Sequence, residues 1–203
     1  MYKFALTSTG VLSGKSTLAN YLEASHGFIK AEFSRALAEM FVEHWNAPMP
    51  HETGIGLRLT VEQLYAEKDT YRPLLQQFGD WIGYNDPTRA EQWVLRALNG
   101  VGWLDAKVGV IFDSFRGEKQ AQVLRDLGFT LVQLEISETE RKYRAGLMGK
   151  DYFAILAAME ARPDLELGIH NPDIRLDGSM PTHIQVQILL QAGKTYGPYP
   201  SRC

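Results

Sequence analysis

Nine residues near the start of the chain, Thr9-Gly10-Val11-Leu12-Ser13-Gly14-Lys15-Ser16-Thr17, constrain its fold more than any other segment. They lie between a short apolar run, Lys3 to Ser8, and a stretch with Leu18, Tyr21 and Leu22 at helical spacing. Strand, Gly/Ser/Thr-rich loop and helix, in that order, are the setting of the phosphate-binding loop G-x-x-x-x-G-K-[ST]. Consecutive backbone N–H groups at such a loop and helix start make an anion nest. Gly14 lets the backbone approach phosphate closely, Lys15 reaches the β- and γ-phosphates, and the Ser16 hydroxyl can ligate Mg²⁺. Gly10, Ser13, Gly14, Lys15, Ser16 and Thr17 are therefore the expected phosphate-binding set. Thr9 stands where the pattern has its first glycine, so a residue with a Cβ is expected to take the first turn.

The alternation continues along the chain. Phe28 to Phe33 reads as a second strand, and Leu37, Met40, Phe41 and Trp45 as the stripe of an amphipathic helix. Residues 46–60 are irregular, broken by Pro48, Pro50, Gly54 and Gly56. Thr60 to Glu67 looks helical, Tyr71, Leu74, Leu75 and Phe78 predict a helix over about 70–79, and Ala90 to Leu98 predicts another. The span 36–100 is thus mostly helical, with no clear strand. Lys107 to Phe112 reads as a buried strand ending in Asp113, Glu118 to Leu127 as a helix closed by Gly128, and Phe129 to Ile136 as a strand. Ser137, with Glu140 three residues on, fits a capping box opening a polar helical stretch to about 162. Asp173 to Asp177 is a last short strand, and a helix over about 181–192 precedes a Gly- and Pro-containing tail. Strands alternating with helices predict an α/β fold with a parallel sheet, on which ligands bind at the carboxyl ends of the strands.

Composition narrows the function. A chain of 203 residues with 45% apolar and 22% charged residues is sized for one globular domain. The net charge of −3 argues against duplex nucleic acid or an anionic membrane as partner. The single cysteine, Cys203, excludes an intrachain disulfide and a Cys-based zinc cluster, and the five histidines lack metal-like spacing. No apolar run reaches the roughly 18 residues of a membrane span. The N-terminal run is too short for a signal peptide, so an intracellular protein is expected. Asp113, at the end of a buried strand beside the loop, can hold a magnesium shell or cap the next turn.

Three segments resemble the nucleoside monophosphate kinases, and more narrowly the deoxynucleoside monophosphate kinases of bacteriophages. The first is Ala5-Leu6-Thr7 leading into Ser13-Gly14-Lys15. The second is Arg72-Pro73-Leu74-Leu75-Gln76-Gln77-Phe78-Gly79 with the later Trp93, similar to the family's R-x-L-L-Q-x-x-G stretch and Trp. The third is Asp113-Ser114-Phe115-Arg116, followed by Ala121, Leu124-Arg125 and Gly128 before a strand. The resemblance implies an α/β P-loop NTPase fold, a three-layer sandwich whose five-stranded parallel sheet carries helices on both faces. It implies a single domain with a core of 1–35, 106–136 and 166–192, a helical acceptor-binding insertion at about 36–105 and a lid at about 137–165. It further implies ATP as donor, Mg²⁺ on Ser16 and Asp113, and a nucleoside monophosphate as acceptor. The protein would be cytoplasmic, in the host's cytoplasm if the source is a phage, and a homodimer is compatible with it.

Such a reaction needs no general base, because the acceptor phosphate is already nucleophilic; positioning and charge stabilisation carry it. Arg35, Arg72 and Arg116 are the candidate acceptor clamps, because guanidinium matches phosphate bidentately. Gln76, one helical turn after Arg72, offers a donor and an acceptor to a base edge. Lys15, Asp113, Arg116, Arg141 and Arg144 are the expected catalytic set, the last two as lid arginines closing on the transferring phosphate. A solvated helix face with Glu–Arg pairs is the plainer reading of Arg141, Lys142 and Arg144, since Glu138 and Glu140 are near. Trp81 and Tyr84 could stack on a base or simply pack. Two other functions compete. A kinase of a hydroxyl-bearing metabolite, such as a sugar acid or dephospho-coenzyme A, would use Asp113 as base. A nucleotide-driven switch module would not need the Arg35, Arg72 and Arg116 set.

Overall fold

The computed structural model describes residues 1–46, 58–81, 87–115, 117–160 and 169–195. In chain order the elements are β1 (Tyr2–Ser8), α1 (Lys15–His26), β2 (Ile29–Ala31), α2 (Phe33–Trp45), α3 (Val61–Ala66), α4 (Lys68–Trp81), α5 (Pro87–Asn99), a 3₁₀ turn (Trp103–Asp105), β3 (Gly109–Phe112), α6 (Gly117–Asp126), β4 (Thr130–Glu135), α7 (Glu138–Leu147), α8 (Tyr152–Glu160), β5 (Ile174–Asp177) and α9 (Thr182–Thr195). The five strands form one parallel sheet in the order β2-β3-β1-β4-β5.

The two faces of that sheet are two apolar cores. Phe4, Leu6, Ile111, Val132 and Leu134 point to one face and meet Leu18, Ala19 and Leu22 of α1 and Val186 and Leu189 of α9. Ala5, Val110, Phe112 and Leu131 point to the other and meet Phe33 and Ala36 of α2, Trp93, Val94 and Leu98 of α5, and Ala121 and Leu124 of α6. Buried on both sides, β3 is apolar throughout, Gly109-Val110-Ile111-Phe112, as parallel strands between helical layers require. The result is a three-layer α/β sandwich. A smaller cluster forms where Ala38 and Phe41 of α2 meet Leu64 of α3 and Phe78 of α4. α5, inside the 36–105 stretch, packs on the sheet and belongs to the main core.

Several element boundaries differ from the pattern reading. β2 ends at Ala31; Glu32 is extended and serves as N-cap, and Phe33 opens α2 instead of closing a strand. The polar stretch after Ser137 is two helices, α7 and α8, separated at Gly149, whose φ of +63° is left-handed. The capping box there is half made: Ser137 Oγ accepts from Glu140 N at 3.2 Å, while the Glu140 carboxylate turns to Arg144. The complete box is at α3, where Thr60 and Gln63 exchange both hydrogen bonds.

Candidate functional site

β1 is the central strand, so the loop that leaves its carboxyl end opens at the middle of the sheet's carboxyl edge. Thr9 N donates to Leu134 O at 3.2 Å, the closing bond of the Ser8–Leu134 pair, and the chain bends at Thr9 and Gly10. Thr9 takes this first bend with its Cβ and without left-handed backbone. The left-handed residues are Leu12, at φ +60°, and Gly14, at φ +92°. α1 begins at Lys15, and its first intrahelical bond runs from Leu18 N to Gly14 O at 2.9 Å. The amides of Lys15, Ser16 and Thr17 consequently point out of the helix end, where the helix dipole favours an anion. Ser16 and Thr17 are exposed there, whereas Ser13 is buried. Lys15 Nζ donates to the buried Ser8 hydroxyl, which itself donates to Gly10 O at 2.8 Å.

Two arginines of α7 lie over this loop. Arg141 packs on Gly10, where a Cβ would come within 2.6 Å of Arg141 Nη1 and displace the guanidinium. Arg141 Nε is buried and has no hydrogen-bond partner among the described residues. Arg144 is engaged on three sides: Nε donates to Glu140 Oε1 at 2.8 Å, Nη1 to Leu12 O at 3.0 Å, and Nη2 to Gly178 O at 2.6 Å. Lys142, by contrast, pairs with Glu138 at 2.8 Å on the exposed face, the solvated arrangement that charge runs usually adopt. Beside the loop, a cleft of about 580 Å³ is lined by Thr9 and by the ends of β4 and β5, including Ile136, Leu176 and Asp177.

On the other side of β1 the ends of β2 and β3 bring two carboxylates together. Asp113 N donates to Ala31 O at 3.0 Å, which sets Asp113 beside Glu32. Burial, and then the nearby Glu32 charge, push the Asp113 carboxyl up to about 6; the Ser114 hydroxyl, 3.1 Å away, and Lys30 and Lys15 pull the other way. Lys30 Nζ holds Glu32 at 2.7 Å and donates to Asn20 Oδ1 at 2.9 Å. The hydroxyls of Ser34 and Tyr65, 3.3 Å apart, complete this patch, and burial raises the Tyr65 hydroxyl's pKa, with the Glu32 and Asp113 charges adding to that rise. Glu32, Ser34 and Tyr65 escaped the sequence reading. The available signal was an acid directly after a short strand, the same signal that marked Asp113.

The remaining expected residues are spread more widely. Arg35 sits exposed in the first turn of α2 and pairs with Glu39 at 3.2 Å. Gln76 is half-buried on α4, the helix whose backbone also carries Arg72. Arg116, Tyr84 and Cys203 lie outside the described residues, as do 47–57 and 161–168. Among the described residues no cluster of three or more His, Cys, Asp or Glu side chains could hold a metal, and no helix is long and apolar enough to cross a membrane.

The parallel sheet, with a glycine-rich loop leading from its central strand into a helix, gives the strand–loop–helix setting in which a phosphate-binding loop is expected. No protein-family model and no curated protein sequence matches the chain. Among solved structures it is similar to an unliganded sugar kinase from Janibacter sp. HTCC2649, at 18% identity and a TM-score of 0.46 over 98% of this chain and 97% of that one. It is also similar to shikimate kinase from Aquifex aeolicus, at 15% identity and a TM-score of 0.42 over 96% and 99% of the two chains.

Proposed function

We propose that this protein is a kinase that transfers the γ-phosphoryl group of ATP to a deoxynucleoside monophosphate, giving the diphosphate. The observation that carries this reading is the pairing of two sites across the end of β1. On one side lies the phosphate loop, with Lys15 inside it and the unpartnered Arg141 Nε above it. On the other lies the patch of Glu32, Ser34, Tyr65 and Asp113, walled by α2 and α3. The amides at the start of α1 and the Lys15 ammonium would hold the donor phosphates, and Arg141 would add its charge where negative charge develops. In its resting arrangement Lys15 rests on the Ser8 hydroxyl, a neutral partner that a phosphate oxygen readily replaces.

One carboxylate and one hydroxyl, Asp113 and Ser16, suit a hard cation that keeps most of its ligands as water and phosphate oxygen. These two residues would hold Mg²⁺, which when bound neutralises charge between the β- and γ-phosphates. On the acceptor side, Arg35, Arg72 and Arg116 would clamp the monophosphate, Gln76 would read the base, and α3 and α4 would form the acceptor-binding insertion. The segment at about 137–165 would act as lid, excluding water so that ATP is not hydrolysed.

A second reading has one observation in its favour. The raised Asp113 carboxyl beside Glu32 has the environment of a general base, and a hydroxyl-bearing metabolite would need one. An ADP-release assay with ATP, Mg²⁺ and a panel of deoxy- and ribonucleoside monophosphates separates the two. Stimulation by a monophosphate, with diphosphate product confirmed, is the expected result. ADP release indifferent to every monophosphate moves the reading to the hydroxyl acceptor.

A further inference from the structure

Arg144 was expected to reach the transferring phosphate, yet its guanidinium is turned to the protein. Nη1 donates to Leu12 O in the phosphate loop, and Nη2 donates to Gly178 O in the loop between β5 and α9. The two acceptors stand on segments 166 residues apart in sequence, 178 − 12, and α7 supplies the bridge between them. Glu140, one turn before Arg144, accepts from Nε and fixes the plane of the fork. Both loops are shaped around this bridge. Leu12, whose carbonyl is held, is the one non-glycine residue with positive φ among the described residues. Left-handed backbone at a leucine persists only where surrounding contacts over-determine it, and the Arg144 bond is such a contact.

The other loop is equally fitted. Gly178 N donates to Glu135 O at 2.6 Å, and Gly178 packs so tightly that a Cβ there would lie 2.8 Å from Ser13 O and 3.0 Å from Glu135 O. Its carbonyl also receives the buried Gln185 side chain, which donates to Met180 O as well. Asp177 accepts from both the amide and the hydroxyl of Ser179, at 2.8 and 2.6 Å, closing the turn from its other side. The loop after β5 and the phosphate loop are thus locked to one another through Arg144.

We propose that Arg144 is a positioning residue: a latch that joins the phosphate loop to the β5–α9 loop and holds the left-handed Leu12 turn before any nucleotide arrives. It acts on the donor through these loops, while its α7 neighbour Arg141 is the arginine left to meet phosphate. The consequence for the donor rests on the kinase reading; the latch itself does not. A latch prepares the anion nest in advance, so its loss falls on donor binding more than on the chemical step.

Hydrogen exchange of the nucleotide-free protein tests it, because an arginine that served only to touch phosphate would leave the empty protein unchanged. In Arg144→Ala, amides of both Leu12–Gly14 and Gly178–Met180 should exchange about tenfold faster than in the unsubstituted protein, the effect of losing one charge-assisted hydrogen bond to each loop. Should Arg144→Ala fail to fold, Arg144→Lys, which cannot span both carbonyls, and Gly178→Ala, which parts the same contact from the other side, should show the same paired acceleration. Acceleration of one loop alone, or of neither, overturns the latch. Kinetics supply the second readout: the KM for ATP should rise about tenfold in Arg144→Lys with kcat changed by less than about threefold. A fall in kcat with KM unmoved overturns the latch and returns Arg144 to the phosphate. An unsubstituted protein that binds no ATP by calorimetry removes the donor reading, and the exchange data then judge the latch alone.

Discussion

The two sides of β1 are built on opposite principles. On the phosphate-loop side a chain of internal hydrogen bonds sets the loop: Ser8 with Gly10 and Lys15, Thr9 with Leu134, Arg144 with Leu12, Gly178 and Glu140. Opposite charges meet there, and the backbone is held in one shape. On the side of β2 and β3, like charges meet: Glu32 and Asp113 face each other with Lys30 between Glu32 and Asn20. The first side is pre-organised for a ligand of known shape, an anion on backbone amides. The second stores electrostatic repulsion that a cation or a hydrogen-bond donor would relieve. Rigidity on one side and a crowded pair of carboxylates, only partly compensated by Lys30 and Ser114, on the other is the division expected between a site that grips a constant group and one that adapts to a variable partner.

The largest break in that comparison is Lys15→Ala. It deletes the ammonium that sits within the phosphate loop while leaving the sheet and both cores untouched. Turnover should fall by about 10²–10³, the scale seen when one preorganised charge is removed from a developing negative charge. The melting temperature should move little, since Lys15 lies outside both apolar cores and its ammonium donates to a neutral hydroxyl. Turnover that survives this change would mean that the loop does not carry the chemistry.

Asp113→Asn is next, and it acts on stability in the opposite sense to most site substitutions. The folded carboxyl titrates at about 6 and the unfolded one at 3.8, so between these values the folded protein binds the extra proton. Its contribution is therefore fully present below about pH 4 and is lost as pH rises through 6. At pH 7.5, without Mg²⁺ or nucleotide, the asparagine variant should be more stable than the unsubstituted protein by on the order of 2–3 kcal/mol; near pH 4 the two should melt together. Equal stability at both pH values would show that Glu32 and burial do not act on Asp113 as the geometry implies.

What the sequence discloses follows the distance over which each feature is encoded. The strand–loop–helix of residues 2–26 is written in consecutive residues, and it folds as read. β3 was legible because burial on both faces makes it an unbroken apolar run, whereas in β5 Ile174 and Leu176 are buried and Arg175 and Asp177 exposed. The end of β2 was not: Phe33 is apolar and buried in strand or helix alike, and only the extended Glu32 cap decides between them. The site was half legible for the same reason. Lys15 and Asp113 sit at fixed offsets from strands, but Ser34 and Tyr65 are 31 residues apart, and Arg144 meets Leu12 across 132 residues. Contacts of that kind come from packing α3 on α2 and α7 over the central strand, and no local pattern records them.

The smallest effect sharpens the comparison on the rigid side, within the phosphate loop. The pattern has glycine at position 9, yet the strain sits at position 12. Thr9 bends without left-handed backbone, so Thr9→Gly gains no relief and adds chain entropy to the unfolded state; it should lower stability by about 0.5–1 kcal/mol. Leu12 is left-handed, where leucine costs about 1–2 kcal/mol and glycine nothing, so Leu12→Gly recovers that strain against a similar entropy loss. Denaturant melts should therefore place Leu12→Gly at or slightly above the unsubstituted protein and Thr9→Gly below it. The reverse order would mean that the first turn, and not the latched one, bears the strain of the loop.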